Sequence, residues 1–337
     1  MATRYAVASG NWNATSTWSA SSGGSSGASV PATGDRAIIE NTRNVTLTGD
    51  TTTGGCNIQS GGTLTGGGYT LTCDDDGAVV IFDTDGTISG NLDVSLTGGT
   101  SRSLELLGSS GNVRNLTINN GSSTFTLIAA ATLGGNLTIT AGTLSTGSDH
   151  ALTVTGDASV TGTLTGNASA ISMGSLSVAS GGTYSATSGT TTITKANGGT
   201  DGRAFFIHGS ATFTHNNGLV KFTGNNPQVA PTSSGQTSTN HPFYDLEQTN
   251  GRILWKSEHH RVLNNCTMRG SGFNGSTGNI HVLGICRLTA ETFNDSDIAT
   301  NDNSFFQTLI IESGATVDLS AINITVGSLR NLGGTIQ

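Results

Sequence analysis

The stretch Cys56-Asn57-Ile58-Gln59-Ser60-Gly61-Gly62-Thr63-Leu64 decides the fold, because versions of it return three more times in the chain. Each version indicates a short alternating strand, a tight turn at small residues and a second strand. Glycine suits such a turn because a positive φ costs it nothing. The other versions are 139–144 (ITAGTL), which is one residue shorter, 178–184 (VASGGTY) and 311–317 (IESGATV).

The spacing of these versions predicts a repeating architecture. Their first apolar residues lie 81, 39 and 133 residues apart, close to multiples of the roughly 20-residue unit found in stacked-coil proteins. A unit of that size cannot bury its own apolar face and must stack on copies of itself. We therefore predict an all-β fold, a parallel β-helix (β-solenoid), right-handed because parallel crossovers prefer that hand. About 280 residues at about 20 per coil predict about 14 coils.

The composition agrees with this prediction. The chain has 337 residues with Gly 49 but Pro 4, and charged residues make up 11%. Collagen is excluded because glycine keeps no three-residue period and proline is scarce. Disorder is disfavoured by a recurrent Leu-x-Ile or Leu-x-Val alternation, which is typical of strands with one buried face. The alternation occurs at 116–118, 137–139, 152–154 and 176–178, and no stretch keeps helical spacing over three turns.

Charge and hydropathy exclude two classes of partner. The formal net charge is -8, whereas nucleic-acid binding requires a basic face. No run of about 18 apolar residues occurs, so membrane insertion is not expected. The residues after Met1 are polar and do not resemble a secretory signal. A protein that looks extracellular but lacks an export signal can leave a cell by lysis, inside a virus particle. We therefore expect this location, with a cell surface as the alternative.

The four cysteines contain no CxxC pair, so a zinc site is not predicted. Cys266 and Cys286 form one pair in sequence and Cys56 and Cys73 another, and each pair is separated by close to one coil of about 20 residues. Stacked coils place such residues on neighbouring strands about 4.8 Å apart, near the range that a disulfide tolerates. We favour free buried thiols that act as small apolar residues over disulfides.

The chain divides into three segments that differ in residue composition and strand pattern. Residues 1–50 hold two of the three tryptophans, Trp12 and Trp18, and we predict an N-terminal cap on the first coil that also offers an attachment surface. Residues 51–195 indicate a regular, glycine-rich solenoid with Thr, Ser and Asn outward. Residues 196–337 indicate a second, more aromatic solenoid part with loop excursions. Within it, residues 212–224 (TFTHNNGLVKFTG) give the strand, Asn-Gly turn and strand signal of a hairpin.

Several of these motifs together resemble a known group of proteins, the parallel β-helix proteins of bacteriophage virions, notably tail fibres and tail spikes, and of bacterial surfaces. The motifs are Gly10-Asn11-Trp12, Thr17-Trp18, Val30-Pro31, Gly34-Asp35, 45–47 (VTL), 60–64 (SGGTL), 213–224 and 243–246 (FYDL). The resemblance implies the solenoid fold. It implies no catalytic residue, because the group has no universal catalytic motif.

No residue set has the spacing of a catalytic, cofactor or metal site. The densest reactive cluster is 255–261 (WKSEHHR), but neighbouring strand residues point to opposite faces, so His259 and His260 do not share a site. We favour a solvated loop or subunit contact there. The acidic runs 74–77 (DDDG) and 83–86 (DTDG) suit calcium but complete no calcium-loop spacing, which favours plain acidic turns.

The aromatic residues of the second half offer a sugar-stacking platform, although core filling or oligomer contact is the favoured use. They are Phe205, Phe206, Phe243, Tyr244, Trp255, Phe305 and Phe306. A pair of carboxylates for glycoside hydrolysis is the third possibility, and no sequence feature selects such a pair.

The resemblance and the fold lead us to expect a structural virion protein of a bacteriophage, a tail fibre, tail spike or capsid-surface protein that attaches to the host, without enzymatic activity and without a cofactor. The expected partners are further copies of the chain, three by the fibre-and-spike resemblance, other virion proteins and a host surface glycan. Unpaired strand edges at 329–337 also predict association. The alternatives are a bacterial or archaeal surface adhesin and a polysaccharide lyase or hydrolase of the same fold.

Overall fold

The computed structural model describes residues 1–106, 112–198, 202–230, 242–255, 259–270, 272–275, 279–289, 292–293, 304–317 and 324–337. In these residues the chain consists of short strands and turns, with one 3₁₀ turn at Thr15–Thr17. The described residues form an all-β parallel β-solenoid of about 12 turns, which confirms the predicted fold class. The right hand of the coils stays a prediction. No helix among the described residues is long and apolar enough to span a membrane.

The chain divides into two compact units, which we describe separately. Unit 1 comprises Met1–Gly156 and Gly162–Thr165, and unit 2 comprises Asp157–Thr161 and Gly166–Gln337. The strands of unit 1 are β1 Thr3–Ala6, β2 Gly10–Asn11, β3 Trp18–Ser19, β4 Arg36–Ile39, β5 Asn44–Thr46, β6 Thr51–Thr53, β7 Gly55–Ile58, β8 Thr63–Thr65, β9 Thr70–Cys73, β10 Val80–Thr84, β11 Thr87–Ser89, β12 Leu92–Leu96, β13 Arg102–Leu104, β14 Val113–Leu127, β15 Ala131–Leu133, β16 Leu137–Ser145, the first part of β17 Leu152–Val160, and β18 Thr163–Thr165. The further strands of unit 2 are β19 Ile171–Val178, β20 Thr183–Ser185, β21 Thr190–Ile193, β22 Phe205–Ile207, β23 Thr212–Thr214, β24 Leu219–Phe222, β25 Gln228–Ala230, β26 Asp245–Gln248, β27 Arg252–Trp255, β28 His259–Val262, β29 Cys266–Met268, β30 Gly272–Gly275, β31 Asn279–Leu288, β32 Thr292–Phe293, β33 Ser304–Glu312, β34 Thr316–Val317, β35 Ile324–Leu332 and β36 Thr335–Ile336.

Alternating apolar residues form inward columns that run from coil to coil. In unit 1, Leu71, Val94, Leu116 and Leu137 are register partners on β9, β12, β14 and β16, and all four are buried. Burying each such side chain contributes about 1.5–3 kcal/mol. A single coil leaves these residues open to solvent above and below, so the burial depends on the neighbouring coils.

The repeated turn adopts the conformation that its glycine predicts. Gly61, Gly142, Gly181 and Gly314 have φ values of 81°, 85°, 78° and 91°, in the left-handed region that favours glycine. Strands end and begin on either side of the turn at Gly61, Gly181 and Gly314, as the sequence predicts. In the shorter version, Gly142 lies inside the continuous strand β16.

The coils of this solenoid differ in length, which makes the predicted number of about 14 coils too high. Cys266 and Cys286 are register partners on neighbouring coils, and so are Tyr184 and Phe213, but the second pair is separated by a clearly longer stretch of chain. The longer coils carry additional turn and loop residues between their strands. Fewer coils therefore fit into the same chain, about 12 over the described residues.

Unit 2 has an aromatic core around Phe243. The centroid of its ring lies 5.3 Å from that of Phe205, 6.0 Å from that of Phe213, 6.4 Å from that of Phe222 and 6.3 Å from that of Trp255. All five side chains are buried. Large rings thus fill the cross-section of these coils.

The hairpin predicted for residues 212–224 is wrong. The Asn-Gly turn is present, with Asn216 and Asn217 in the left-handed region and the Gly218 N–H donating to the His215 carbonyl at 2.9 Å. However, β23 pairs in parallel with β20, and β24 pairs in parallel with β21 and β26. Phe213 on β23 and Val220 on β24 are both buried, and stacking on neighbouring coils buries them. The turn is therefore a corner of one coil.

Residues 1–50 are joined to the first coil by strand pairing. Strand β4 pairs in parallel with β7, and β5 pairs in parallel with β8. Within the segment, β1 pairs in antiparallel with β3 and in parallel with β4, and β2 pairs in parallel with β5. Trp12 and Trp18 are buried, and their rings meet edge to face at a centroid distance of 5.0 Å. The Trp18 indole N–H donates to the Trp12 carbonyl at 2.7 Å. That this segment acts as a cap stays a prediction.

The last strands of unit 2 expose apolar residues. Strand β35 pairs with β33 on one side, and no described strand pairs with its other edge. Leu309 on β33 is 2% exposed, whereas its register partner Leu329 on β35 is 48% exposed. Leu332 and Ile336 are exposed as well. The predicted unpaired edge at 329–337 is therefore present in the described residues.

Candidate attachment surface

One outer face of unit 1 carries a column of hydroxyl side chains. Successive strands β6, β9, β12, β14 and β16 each contribute one residue to it. The column consists of Thr52, Thr72, Ser95, Thr117 and Thr138. Neighbouring coils set these residues about 4.8 Å apart. Each of these residues is half-buried or exposed, so the column itself is uncharged and yet able to donate and accept hydrogen bonds. Beside it, Asp93 on β12 and Arg114 on β14 form an ion pair at 2.7 Å.

A second face of unit 1 presents two hydroxyl columns side by side on β14, β16 and β18. They consist of Thr124, Thr143 and Thr163 in one column and Thr126, Ser145 and Thr165 in the other. Residues two apart on a strand are about 6.6–6.8 Å apart, so the hydroxyls form a regular two-dimensional array. Such an array complements partners that are themselves rich in hydroxyl groups.

A shallow groove of about 290 Å³ lies on this second face. It is lined by Ser101, Ser103, Thr124 and Thr126 together with Arg102 and Val79, and Val79 is 77% exposed. The guanidinium of Arg102 is not free, since it donates to both carboxylate oxygens of Asp75 at 2.8 Å. The groove is therefore polar, close to neutral and apolar at one edge.

The acidic run at 74–77 is held by protein partners. Asp76 pairs with Arg36 at 2.8 Å, Asp75 pairs with Arg102, and Asp74 accepts the Gly34 N–H at 3.0 Å. Partial burial alone would raise the pKa of Asp75. Hydrogen bonds from Arg102 and from two backbone N–H groups outweigh burial and hold the pKa of Asp75 below its usual value.

The second acidic run gains a third carboxylate that the sequence did not suggest. Carboxylate oxygens of Asp83, Asp85 and Glu105 all lie within 4.8 Å of one another. The pKa of Glu105 is raised by partial burial, by the negative charges of Asp83 and Asp85 and by a hydrogen bond with Asp83. Three like charges so close together repel one another at neutral pH. Carboxylates in this arrangement have the chemistry to hold a hard cation, and exposed acidic groups are also common without one.

Replacing Glu105 by glutamine is expected to stabilise the protein at pH 7. The pKa of Glu105 is higher in the folded protein than in the unfolded chain, so protonated Glu105 contributes stability at low pH. That contribution is fully present below the pKa of the unfolded chain and is lost as the pH rises through the pKa of the folded protein. Glutamine does not ionise, so the substitution removes that loss. Because Glu105 is partly exposed, we expect the free energy of unfolding at pH 7 to rise by less than about 1 kcal/mol. Thermal unfolding of both proteins at pH 7 and pH 4 measures it, and the gain should shrink at pH 4.

The matched control for this prediction is Glu312→Gln. Glu312 accepts from Arg287 at 3.1 Å, so its neutralisation should slightly destabilise the protein at pH 7. If Glu105→Gln destabilised the protein at pH 7, the argument from charge repulsion would be wrong. If calcium raised the Tm of the unsubstituted protein but not that of Glu105→Gln, the three carboxylates would be a cation site.

The histidines of the cluster at 255–261 lie on strand β28. His260 is buried and stacks on Trp255 at a centroid distance of 3.8 Å. Residues 256–258 and the side chain of His259 lie outside the described residues. His260 thus contributes to the core of unit 2.

Five of the seven aromatic residues considered for sugar stacking fill the core. Phe205, Phe206, Phe243, Trp255 and Phe306 are at most 7% exposed. The favoured use, core filling, is confirmed for these five residues.

The remaining two aromatic residues are half-buried on the outer surface. Tyr244 stacks on His215 at a centroid distance of 5.4 Å, and Phe305 meets His281 edge to face at 6.4 Å. Phe305 therefore lies on the outer surface, whereas Phe306 lies in the core.

The prediction of free buried thiols is confirmed for all four cysteines, and their stacking on neighbouring strands is confirmed for one pair. Cys266 and Cys286 are register partners on β29 and β31, and both are free and buried. Burial, then a hydrogen bond with Cys286, raises the pKa of Cys266 well above its usual value. Stacked thiols in this unit therefore act as small core residues.

Cys56 and Cys73 are also free and buried, but they are not register partners. Cys56 pairs with Phe82 on β10, and Cys73 pairs with Leu96 on β12, so the two belong to different strand columns. The stretch of chain between them falls short of one coil here. Burial raises the pKa of Cys56 to about 12.

These thiols are expected to resist modification until the protein unfolds. Protonated thiols are poor nucleophiles, and all four are enclosed. Titration with a thiol-reactive disulfide reagent should show negligible reaction in the native protein and four thiols per chain in denaturant. Two thiols in denaturant without reductant would show a disulfide and contradict the assignment.

In comparisons with protein-family models, curated proteins and solved structures, nothing matches this chain.

Proposed function

We propose that this chain is a structural virion protein of a bacteriophage, a β-solenoid of a tail fibre, tail spike or capsid surface that takes part in attachment to the host. The observation that carries the proposal is the set of hydroxyl columns on the outer faces of unit 1. The columns themselves are uncharged and wettable. Backbone ladders hold the columns in register.

The virion setting is supported by the opening motif, from Gly10-Asn11-Trp12 to Gly34-Asp35, which resembles the start of β-helix virion proteins. The same fold carries adhesins and polysaccharide-cleaving enzymes, and the hydroxyl columns serve an adhesin equally well. We propose the virion role over the adhesin because of the motif. We propose a non-catalytic role because the acidic groups 74–76 are held in ion pairs and hydrogen bonds. Asp83, Asp85 and Glu105 are the clustered carboxylates that the enzyme alternative would use.

We also propose that the protein works as an oligomer, with three copies as the first hypothesis. The exposed edge of β35 and the exposed Leu329, Leu332 and Ile336 support association. Mass measurement in solution tests it, with Leu329→Ser and Leu332→Ser together as the variant. A stable monomer at micromolar concentration would contradict the oligomer.

The experiment that tests the function is antibody labelling in the electron microscope. Antibodies against the purified chain should decorate the tail or capsid surface of virus particles in a lysate of the producing culture. Labelling of bacterial envelopes without labelled particles would replace the proposal by the adhesin. Release of new chain ends from host polysaccharide by the purified protein would replace it by the enzyme.

A further inference from the structure

A histidine ring closes the corner between β23 and β24 in unit 2. Nδ1 of His215 accepts the backbone N–H of Asn217 at 3.0 Å, two residues further along the chain. An imidazole nitrogen that accepts a hydrogen bond carries no proton, so this bond places the proton of the neutral ring on Nε2. The proposed function does not use this corner.

The backbone of the corner needs such a bond. Asn216 and Asn217 both lie in the left-handed region, with φ values of 47° and 59°, which is less favourable for residues other than glycine. The Gly218 N–H closes the turn by donating to the His215 carbonyl at 2.9 Å. The Asn216 amide donates to Ser185 Oγ on β20 at 2.9 Å. The bond from Asn217 to the imidazole completes this set.

The corner stacked against it uses an acceptor that does not titrate. Oγ1 of Thr187 accepts the Gly189 N–H at 2.8 Å, again two residues further along the chain. The Leu219 N–H donates to the Gly189 carbonyl at 2.9 Å, so the two corners are neighbours. A hydroxyl accepts a hydrogen bond at every pH in the physiological range. His215 therefore stands where the neighbouring coil has a permanent acceptor.

The surroundings of the His215 ring favour its neutral form. Partial burial holds the pKa of His215 below its ordinary value of 6.5, and no charged group of the described chain adds to this effect. The ring stacks on Tyr244 at a centroid distance of 5.4 Å and an interplanar angle of 20°. A cation is attracted to the face of a tyrosine ring, so this stack survives protonation, whereas the hydrogen bond from Asn217 does not.

Charged side chains on the strands beside the corner are bound to other partners. Lys221 on β24 pairs with Glu247 on β26 at 3.5 Å. Asp245, which follows Tyr244, accepts from the Asn264 amide at 2.9 Å. The titration of His215 is therefore governed by its burial and by the Asn217 N–H.

His208, at the other end of β23, makes a similar bond with a different consequence. Its Nδ1 accepts the Ser210 N–H at 3.2 Å and lies 2.9 Å from Ser210 Oγ, which in turn lies 2.8 Å from Ser180 Oγ. A hydroxyl donates and accepts, so Ser210 Oγ can accept from protonated Nδ1 and donate to Ser180 instead. This second corner keeps a side-chain hydrogen bond in both protonation states.

We infer that the corner 215–218 is an acid-sensitive switch, which opens when His215 gains a second proton while its ring stays on Tyr244. A proton on Nδ1 points at the Asn217 N–H, so two donors face each other and the bond is lost. The sign follows from the lowered pKa: the stability that neutral His215 contributes is fully present above about pH 6.5 and is lost as the pH falls through the pKa of the folded protein.

Nuclear magnetic resonance of the ¹⁵N-labelled full chain tests the inference from about pH 8 to about pH 5, across the ordinary range of histidine. At the upper end, the ring signals of His215 should show the proton on Nε2. On acidification, the Asn217 N–H signal should move with the midpoint of the His215 ring. Protection of the Gly218 N–H against hydrogen exchange should fall roughly threefold to tenfold, the worth of one hydrogen bond.

The matched reference is the Ala211 N–H, which donates to the His208 carbonyl at 2.8 Å and closes the second corner. Its protection should change little over the same range. His215→Asn should abolish the acid response of Gly218, because an asparagine oxygen accepts the N–H two residues further along without titrating. His208→Asn should leave the acid response of Gly218 unchanged.

Three results would overturn the inference. They are a proton on Nδ1 of His215 at about pH 8, where neutral histidine prevails, unchanged protection of Gly218 through the titration of His215, and an equal loss of protection at Ala211. An acid response that persists in His215→Asn would overturn it as well. Each of these results leaves the proposed virion role to the antibody labelling.

Discussion

Replacing Phe243 by alanine is expected to lower the free energy of unfolding by about 3–5 kcal/mol, the cost of removing a large buried ring and leaving a cavity. The ring contacts Phe205 and Phe222 and lies near Trp255. These rings are held on three different strands, β22, β24 and β27, and their backbones are fixed by strand pairing, so we expect little collapse into the space. Urea unfolding followed by tryptophan fluorescence measures the loss, since Trp255 belongs to the same cluster.

The matched control is Tyr244→Ala, one residue further along the chain. Tyr244 is half-buried and outward, and its described ring contact is the stack on His215. Its removal should cost about 1 kcal/mol. If both substitutions destabilised the protein equally, the alternation that places Phe243 inward and Tyr244 outward would be wrong.

The sequence predicted the fold well where local chemistry decides it. A small-residue turn with glycine specifies a left-handed corner, and Gly61, Gly181 and Gly314 all have that conformation. Strand alternation then decides which side chains face inward. Because both signals lie within a few residues, they are visible without knowledge of the neighbouring coil.

Pairing between coils is less visible in the sequence, since it depends on how many residues each coil uses. The Asn-Gly turn at Asn217 suggested a hairpin, and stacking of Phe213 and Val220 on neighbouring coils replaced it. Glu105 joins Asp83 because of the register between β10 and β13, which is irregular. No sequence pattern contains that irregularity.

Gln248 shows how a polar residue enters an inward column. It lies between Phe222 and Met268 in register and is fully buried. Its side-chain amide donates to the carbonyl groups of Asn250 and Gly251 in the turn that follows. The amide nitrogen is satisfied locally, which lowers the cost of burying it, whereas the side-chain oxygen is buried with no partner among the described residues. A pattern search for apolar alternation breaks at this residue although the strand continues.

The candidate surface was partly predictable. Outward Thr and Ser follow from alternation, but continuous columns such as Thr72, Ser95 and Thr117 require the register between coils. Their regular spacing suits repeated weak contacts with a repetitive partner. Many such contacts on one particle would raise the effective affinity far above that of a single site. Hydroxyl columns of this kind support the proposed attachment by multiplicity.

Replacing Gly142 by alanine is expected to destabilise the protein by about 3 kcal/mol or more, from two additive causes, backbone strain and forced packing. Gly142 has a φ of 85°, where a residue with a side chain is strained by about 1–2 kcal/mol. A carbon added there would also overlap the carbonyl oxygen of Asn120 and lie 2.9 Å from that of Ser123, and forced packing costs about 1–3 kcal/mol.

Gly181→Ala separates the two causes, because Gly181 occupies the same turn of another repeat. Its φ of 78° is nearly the same, but an added carbon would meet nothing within 4 Å. This variant should lose the conformational part alone, about 1–2 kcal/mol. Urea unfolding of the two variants and the unsubstituted protein gives the comparison. Equal losses would show that the neighbouring coil exerts no steric control at Gly142. A larger loss for Gly142→Ala would show that the coil beside it, as well as its own backbone conformation, requires glycine in this repeat.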